Sequence, residues 1–167
     1  MPIGKGGAIA PLFQELRMYA SSTIRLINSI AYFLRFQKQY QAATRLFSAL
    51  QRFQPARAFH RFGQGLVCAE EGKYIEAQSL FRQVLMYEPE HSCALACLGL
   101  AMRYTNHPDW RLPLEQARRI SDELGGKEMA EELLNSMDLV AKKTQQVQLC
   151  KPSLARLQKM RVHLGEL

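Results

Sequence analysis

The sequence predicts an all-α protein in which three helical hairpins stack into an α-solenoid, with a helix on either side. Shifting the chain by 34 residues over itself brings identical side chains into register. A fixed period of about 20 to 50 residues is typical of repeat architectures. Because the identities share one register, we interpret them as one structural unit that recurs along the chain. The matching pairs are Tyr40 with Tyr74, Ala43 with Ala77, Leu46 with Leu80, Phe47 with Phe81, and Pro55 with Pro89.

Segment 58–91 shows the repeated unit most completely. Gly65 is small, so two antiparallel helices can approach closely there, and Gly72 permits a tight turn between them. Phe81 fills the space between helices, and Pro89 ends the second helix because it cannot continue the hydrogen-bond ladder. Small, aromatic and proline positions at this period match the tetratricopeptide repeat.

The same period sets the predicted domain boundaries. An amphipathic helix over residues 11–21 precedes the repeats, and a longer helix over 127–148 follows them. We expect this last helix to cap the final repeat, because an uncapped solenoid end exposes its core. Gly125 and Gly126 are expected to stop the preceding helix. The predicted parts are an N-terminal segment 1–23, repeats 24–57, 58–91 and 92–126 with an insertion near 105–113, and a C-terminal helix with a basic tail over 127–167.

Composition limits the class of protein. The chain has 167 residues, of which 47% are hydrophobic and 22% charged, as in a soluble globular protein. It contains no apolar run of about 18 residues, and its first residues lack the apolar segment of a secretory signal. We therefore expect a cytoplasmic protein without membrane insertion.

Charge is concentrated at the start of the chain. The net charge is +7, and residues 1–56 carry seven Lys and Arg but one Glu. A basic surface can attract nucleic acid or an acidic protein. We interpret this one as a solvated face and do not expect nucleic acid as a partner.

Neither catalysis nor a cofactor is indicated by the sequence. The four histidines are scattered, and no nucleophile or phosphate-binding loop accompanies them at a recognisable spacing. His91, Cys93 and Cys97 are close enough in sequence for a metal site to be conceivable. Free cysteine more often packs as a small apolar residue, so we expect no metal site. Because no catalytic spacing is present either, we expect no enzyme and no cofactor.

The first helices of stacked hairpins line a concave groove. Its predicted centre is apolar and its edges hold aromatic and arginine side chains, which suits a hydrophobic segment of another protein. We expect Arg35 and Arg103 to orient the partner through their charges. For any single position, the alternative is packing against the chain's own terminal helices. The predicted binding residues are Tyr32, Arg35, Phe36, Phe59, Phe62, Leu66, Ala69, Ala96, Leu100, Arg103 and Tyr104, and the same surface is expected to include Arg25, Asn28, Glu70 and Cys93.

The stretch FGQGLVCAEEGKY (Phe62–Tyr74) resembles the second-repeat signature of the class II chaperones of bacterial type III secretion. The apolar spacing over 117–137 is also similar, and the resemblance covers about residues 11–140. The basic charge and the insertion around Trp110 depart from that family. The resemblance implies a non-enzymatic chaperone that masks a hydrophobic segment of a translocator or early export substrate, and it allows a homodimer through residues 11–21. The smaller tetratricopeptide chaperones of the same machine, and a generic scaffold that uses its convex face or the Trp110 loop, stay open as alternatives.

Overall fold

The structure is a computed structural model that describes residues 9–55, 57–120 and 125–150. All regular elements in these ranges are α-helices, which confirms the predicted all-α class. The helices are α1 (Ile9–Phe36), α2 (Tyr40–Phe53), α3 (Ala58–Glu70), α4 (Tyr74–Tyr87), α5 (Ser92–Tyr104), α6 (Arg111–Arg119) and α7 (Gly126–Cys150).

Consecutive helices pair into the hairpins α1–α2, α3–α4 and α5–α6, and α2 packs on α3 as α4 packs on α5. Each hairpin therefore rests on the next along the chain. The protein divides into two compact units, residues 1–130 and 131–167, so the first unit holds all three hairpins. Capping of the last hairpin by the C-terminal helix stays a prediction.

Helix α1 differs from the sequence-based expectation. The expected helix over 11–21 and the first helix of the first repeat form one continuous helix of 28 residues. No glycine or proline follows Pro11 within it, so nothing in the sequence interrupts the hydrogen-bond ladder. The predicted boundary at residue 23 therefore lies inside α1 and does not mark a helix end.

The three hairpin turns share one backbone conformation. Lys38, Gly72 and Asn106 follow one another at intervals of 34 residues, and their φ angles are 59°, 78° and 54°. In the middle turn, Gly72 N–H donates to the Ala69 carbonyl at 3.1 Å and Lys73 N–H to the Cys68 carbonyl at 2.8 Å, and both other turns repeat this pattern. The predicted turn at Gly72 is confirmed.

Two fully buried phenylalanines one repeat apart form the centre of the helix packing. Phe47 lies in a cluster with Ala31, Ala43 and Val67, and Phe81 lies in another with residues of α5. A Cβ atom at Gly65 would lie 2.6 Å from Phe81 Cε1, closer than two carbons can approach. Gly65 thus allows the close approach of α3 and α4 that the sequence predicted.

The third hairpin has the same turn conformation at Asn106 as the other two, and its extra residues follow this turn. Helix α6 begins only at Arg111, and Leu114 is buried against Gly99 of α5. The expected stop at Gly125 and Gly126 is wrong for α6, which already ends at Arg119. Gly126 instead begins α7, where it packs directly on Ser92. Residues 121–124 of the predicted third repeat and the basic tail over 151–167 lie outside the described residues.

Candidate functional site

Four of the predicted binding residues line one cavity between α3 and α5, which we call the α3–α5 cavity. Its volume is about 390 Å³, large enough for a few apolar side chains. Helix α4 adds Tyr74 to a wall that otherwise belongs to α3 and α5. The lining residues are Leu66, Ala69, Glu70, Tyr74, Cys97, Leu100, Ala101 and Tyr104.

An aromatic pair forms one side of the α3–α5 cavity. The rings of Tyr74 and Tyr104 are stacked, with centroids 4.5 Å apart and planes 5° from parallel. Burial, and next the neighbouring Cys93, raises the pKa of the Cys97 thiol to about 12, so this group is uncharged at neutral pH. Apart from Glu70, the lining of this cavity therefore carries no charge near neutral pH.

Glu70 is paired with Arg35. Arg35 Nη1 donates to Glu70 Oε1 at 2.5 Å, which joins α1 to α3 beside the α3–α5 cavity. The guanidinium also lies 5.6 Å from the centroid of the Tyr32 ring. The Arg35 charge that we expected to orient a partner is thus compensated within the chain. The one carboxylate that lines the α3–α5 cavity is therefore held in an ion pair, and the other lining side chains are uncharged.

Tyr32 and Phe59 form an aromatic group above the core of the first two hairpins. The Tyr32 ring centroid lies 5.1 Å from that of Phe47 and 5.1 Å from that of Phe59. Burial raises the pKa of the Tyr32 hydroxyl, although Arg35 acts in the opposite direction. Phe59 is 43% exposed, so it remains available to a ligand.

One predicted binding residue, Ala96, belongs to the core, and the partly buried Phe62 packs against the core. Ala96 is fully buried, so it cannot touch a partner on the surface of this structure. Phe62 packs between Phe81 and His91, at centroid distances of 5.8 and 4.9 Å. Repeat position predicted the correct helix face, but the burial of Ala96 depends on how closely α5 packs on its neighbours. The binding role of Phe62 stays a prediction.

The remaining predicted residues lie at the edges. Phe36 is 79% exposed at the end of α1. Arg103 is also exposed, and its guanidinium carbon lies 5.6 Å from the centroid of the Trp110 ring. Its Nη1 donates to Asn106 Oδ1 at 3.4 Å. Arg103 therefore associates with the inserted segment of the third hairpin.

A second cavity, which we call the α1–α3 cavity, has a volume of about 420 Å³, and six of its eight lining residues are polar or charged. Arg25, Asn28 and Phe59 were predicted to lie on the binding surface, and all three line this cavity. Its other residues were missed, because they come from three separate elements and share no repeat position. The complete lining is Ser21, Ile24, Arg25, Asn28, Gln54, Arg57, Phe59 and His60.

His91, which we considered as a metal ligand with Cys93 and Cys97, caps a helix. Its Nδ1 accepts a hydrogen bond from the Ala94 N–H at 3.2 Å, at the start of α5. Within the described ranges, no group of three His, Cys, Asp or Glu side chains is arranged to hold a metal ion. Of the helices that the structure describes, none is sufficiently long and apolar to span a membrane.

No protein-family model and no curated protein sequence matches this chain. Among solved structures, the chain is similar to the crystal structure of the Sgt2 TPR domain from Aspergillus fumigatus, with a TM-score of 0.55 and 15% sequence identity. The likeness covers 70% of this chain and 82% of that one. At this identity the comparison shows the fold, and it confirms the predicted tetratricopeptide architecture.

Proposed function

We propose that this protein is a non-enzymatic chaperone or adaptor that holds a hydrophobic segment of another protein in the α3–α5 cavity. The observation that carries the proposal is the cavity itself, which is about 390 Å³ in volume and bordered by the stacked Tyr74 and Tyr104. Leu66 and Leu100 contribute aliphatic surface to the same wall. Tetratricopeptide domains bind protein partners, and an apolar cavity selects an apolar side chain.

The expected affinity is moderate. Three or four apolar anchors contribute about 1.5–3 kcal/mol each when fully buried. Loss of translational freedom and ordering of the segment remove several kcal/mol of this sum. The remaining free energy is at most about 8 kcal/mol, which corresponds to a dissociation constant of about micromolar or weaker. Such an affinity suits a chaperone that later releases its partner.

For the partner we propose a translocator or early export substrate of a type III secretion system, bound in the cytoplasm before export. The support is the resemblance of Phe62–Tyr74 to the second-repeat signature of those chaperones. The helix pairs also begin close to the proposed repeat boundaries, at Ala58 and Ser92. We retain the division into repeats 24–57, 58–91 and 92–126 on this basis.

The test is co-purification of the tagged chain with candidate translocators from the same cell. We expect Leu66→Gln with Leu100→Gln to weaken binding at least about tenfold, because both side chains line the α3–α5 cavity. The matched control is Ile75→Gln with Met86→Gln, which changes two exposed apolar residues of α4. Equal binding by the two double variants would refute the assignment of the cavity.

A scaffold within a larger assembly is the second candidate, and the exposed face of α1 favours it. Leu26 and Phe33 are 62% and 60% exposed. The residues one repeat later, His60 and Val67, are buried. The face of α1 that carries Leu26 and Phe33 is therefore apolar and exposed. The corresponding face of α3 is buried, because α3 packs on the preceding hairpin. Light scattering of the purified chain and of Leu26→Gln with Phe33→Gln tests this candidate, which predicts assembly in the first sample and its loss in the second.

A further inference from the structure

The α1–α3 cavity collects positive charge without a carboxylate. Arg25 of α1 and Arg57, which immediately precedes α3, both line it, and its lining includes no Asp or Glu. The ion pairs found among the described residues involve neither of these two arginines. Two exposed guanidinium groups at one cavity favour an anion, because each can donate paired hydrogen bonds to a carboxylate.

The beginning of α3 adds to this potential. Arg57 at the N-cap makes no side-chain hydrogen bond to the helix, and the first turn contains no acidic residue. The first N–H groups of a helix lack partners within it and carry a partial positive charge. Phe59 and His60 place this uncapped turn against the α1–α3 cavity.

The His60 side chain is an independent indication that the α1–α3 cavity binds a ligand. It is only 2% exposed, yet neither Nδ1 nor Nε2 has a hydrogen-bond partner in the structure. Burial, and then Arg57 and Arg61, lowers the pKa of His60, so the ring is neutral near pH 7. A neutral imidazole has one N–H donor and one acceptor nitrogen, and buried polar groups of this kind are normally satisfied.

Asn28 favours a peptide over a simple anion as the ligand of this cavity. Its buried Oδ1 also has no partner, and an oxygen acceptor needs a donor that a simple anion does not offer. A peptide can supply both a side-chain carboxylate and a backbone N–H. Ile24 and the partly exposed Phe59 provide an apolar wall beside the charges, which suits an apolar neighbour of the acidic residue.

We propose that the α1–α3 cavity binds an acidic side chain of the partner segment, with Arg25, Arg57 and the His60 imidazole around its carboxylate and Asn28 accepting a backbone N–H. This inference rests on the proposed protein-binding function and adds a requirement on the partner: an Asp or Glu next to an apolar residue. The acidic side chain binds in the α1–α3 cavity, whereas the proposed function depends on the α3–α5 cavity.

The test uses the full chain and two short peptides, Ac-Leu-Glu-Leu-NH2 and its isostere Ac-Leu-Gln-Leu-NH2, whose ends are both uncharged. Titration calorimetry is expected to show the Glu peptide binding about tenfold more tightly, and the ¹⁵N shifts of the His60 ring are expected to move with that peptide alone. Arg25→Gln with Arg57→Gln should abolish the preference.

Arg45→Gln with Arg52→Gln is the matched control, since it removes the same charge from exposed positions of α2 outside the cavity. The preference must survive in this control. Equal affinity for both peptides would overturn the inference, and so would equal loss of preference in both double variants, which would mean general charge attraction.

The two proposals fail separately. If Leu66→Gln with Leu100→Gln abolishes partner binding but no Glu preference exists, the acidic subsite is wrong and the protein-binding function stands. If the Glu preference exists but those leucine changes have no effect on partner binding, the α3–α5 cavity is wrong and the acidic subsite stands.

Discussion

Lys38 and Gly72 occupy the same place in two successive hairpin turns, 34 residues apart, and both have a left-handed backbone with φ angles of 59° and 78°. A lysine in this conformation is strained by its Cβ, whereas a glycine is not. The fold therefore imposes one turn geometry on different residues, and it tolerates strain in the first hairpin.

Placing glycine at position 38 and a residue with a Cβ at position 72 is expected to change the free energy of unfolding in opposite directions. Lys38→Gly should raise the free energy of unfolding by about 0.5–1 kcal/mol, and Gly72→Ala should lower it by about 1–2 kcal/mol. Nothing lies within 4 Å of a Cβ at Gly72, so its loss comes from the backbone alone. Urea denaturation measures both, and destabilisation by Lys38→Gly would contradict this account.

Gly65→Ala should destabilise the protein for a different reason, which is the collision of its Cβ with the Phe81 ring at 2.6 Å. Overpacking of this kind costs about 1–3 kcal/mol, more than the alanine gains in helix propensity. Phe81→Leu should relieve the collision. In a double-mutant cycle, Gly65→Ala is therefore expected to cost less beside Leu than beside Phe, and strict additivity would argue against the contact.

His60 should make stability depend on pH. Its pKa is lowered in the folded state by burial and then by Arg57 and Arg61, so the unfolded chain takes up a proton more readily. The stabilising contribution is complete above the unfolded pKa of about 6.5 and is lost as pH falls below it. Unfolding measured from about pH 7.5 to about pH 5 should show a steeper fall for the natural chain than for His60→Asn. Parallel curves would exclude His60 as the cause.

Cys97 should resist alkylation. Burial raises the pKa of its thiol to about 12, and the thiolate is the reactive form. A short pulse of iodoacetamide near pH 8 should label Cys97 much more slowly in the folded chain than in urea, as read by mass spectrometry of its peptide. Similar labelling rates in the two states would show that the α3–α5 cavity leaves this thiol open to solvent.

The lining of the α3–α5 cavity was predicted from the sequence more completely than the lining of the α1–α3 cavity. Leu66, Ala69, Leu100 and Tyr104 were found from repeat positions alone, and they do line the α3–α5 cavity. Position within a repeat fixes the direction of a side chain on its helix, and that was sufficient here. It does not fix depth, so the fully buried Ala96 could not be distinguished from its exposed neighbours.

The sequence by itself determined the helical hairpins, their 34-residue period and the turn at Gly72, because each follows from spacing and local backbone preference. The tertiary structure alone decided that Arg35 is paired with Glu70 and that His60 meets Arg25 and Arg57 at one cavity. These groups come from different helices, and their distances depend on how side-chain volumes let the helices pack. No local pattern encodes such a distance.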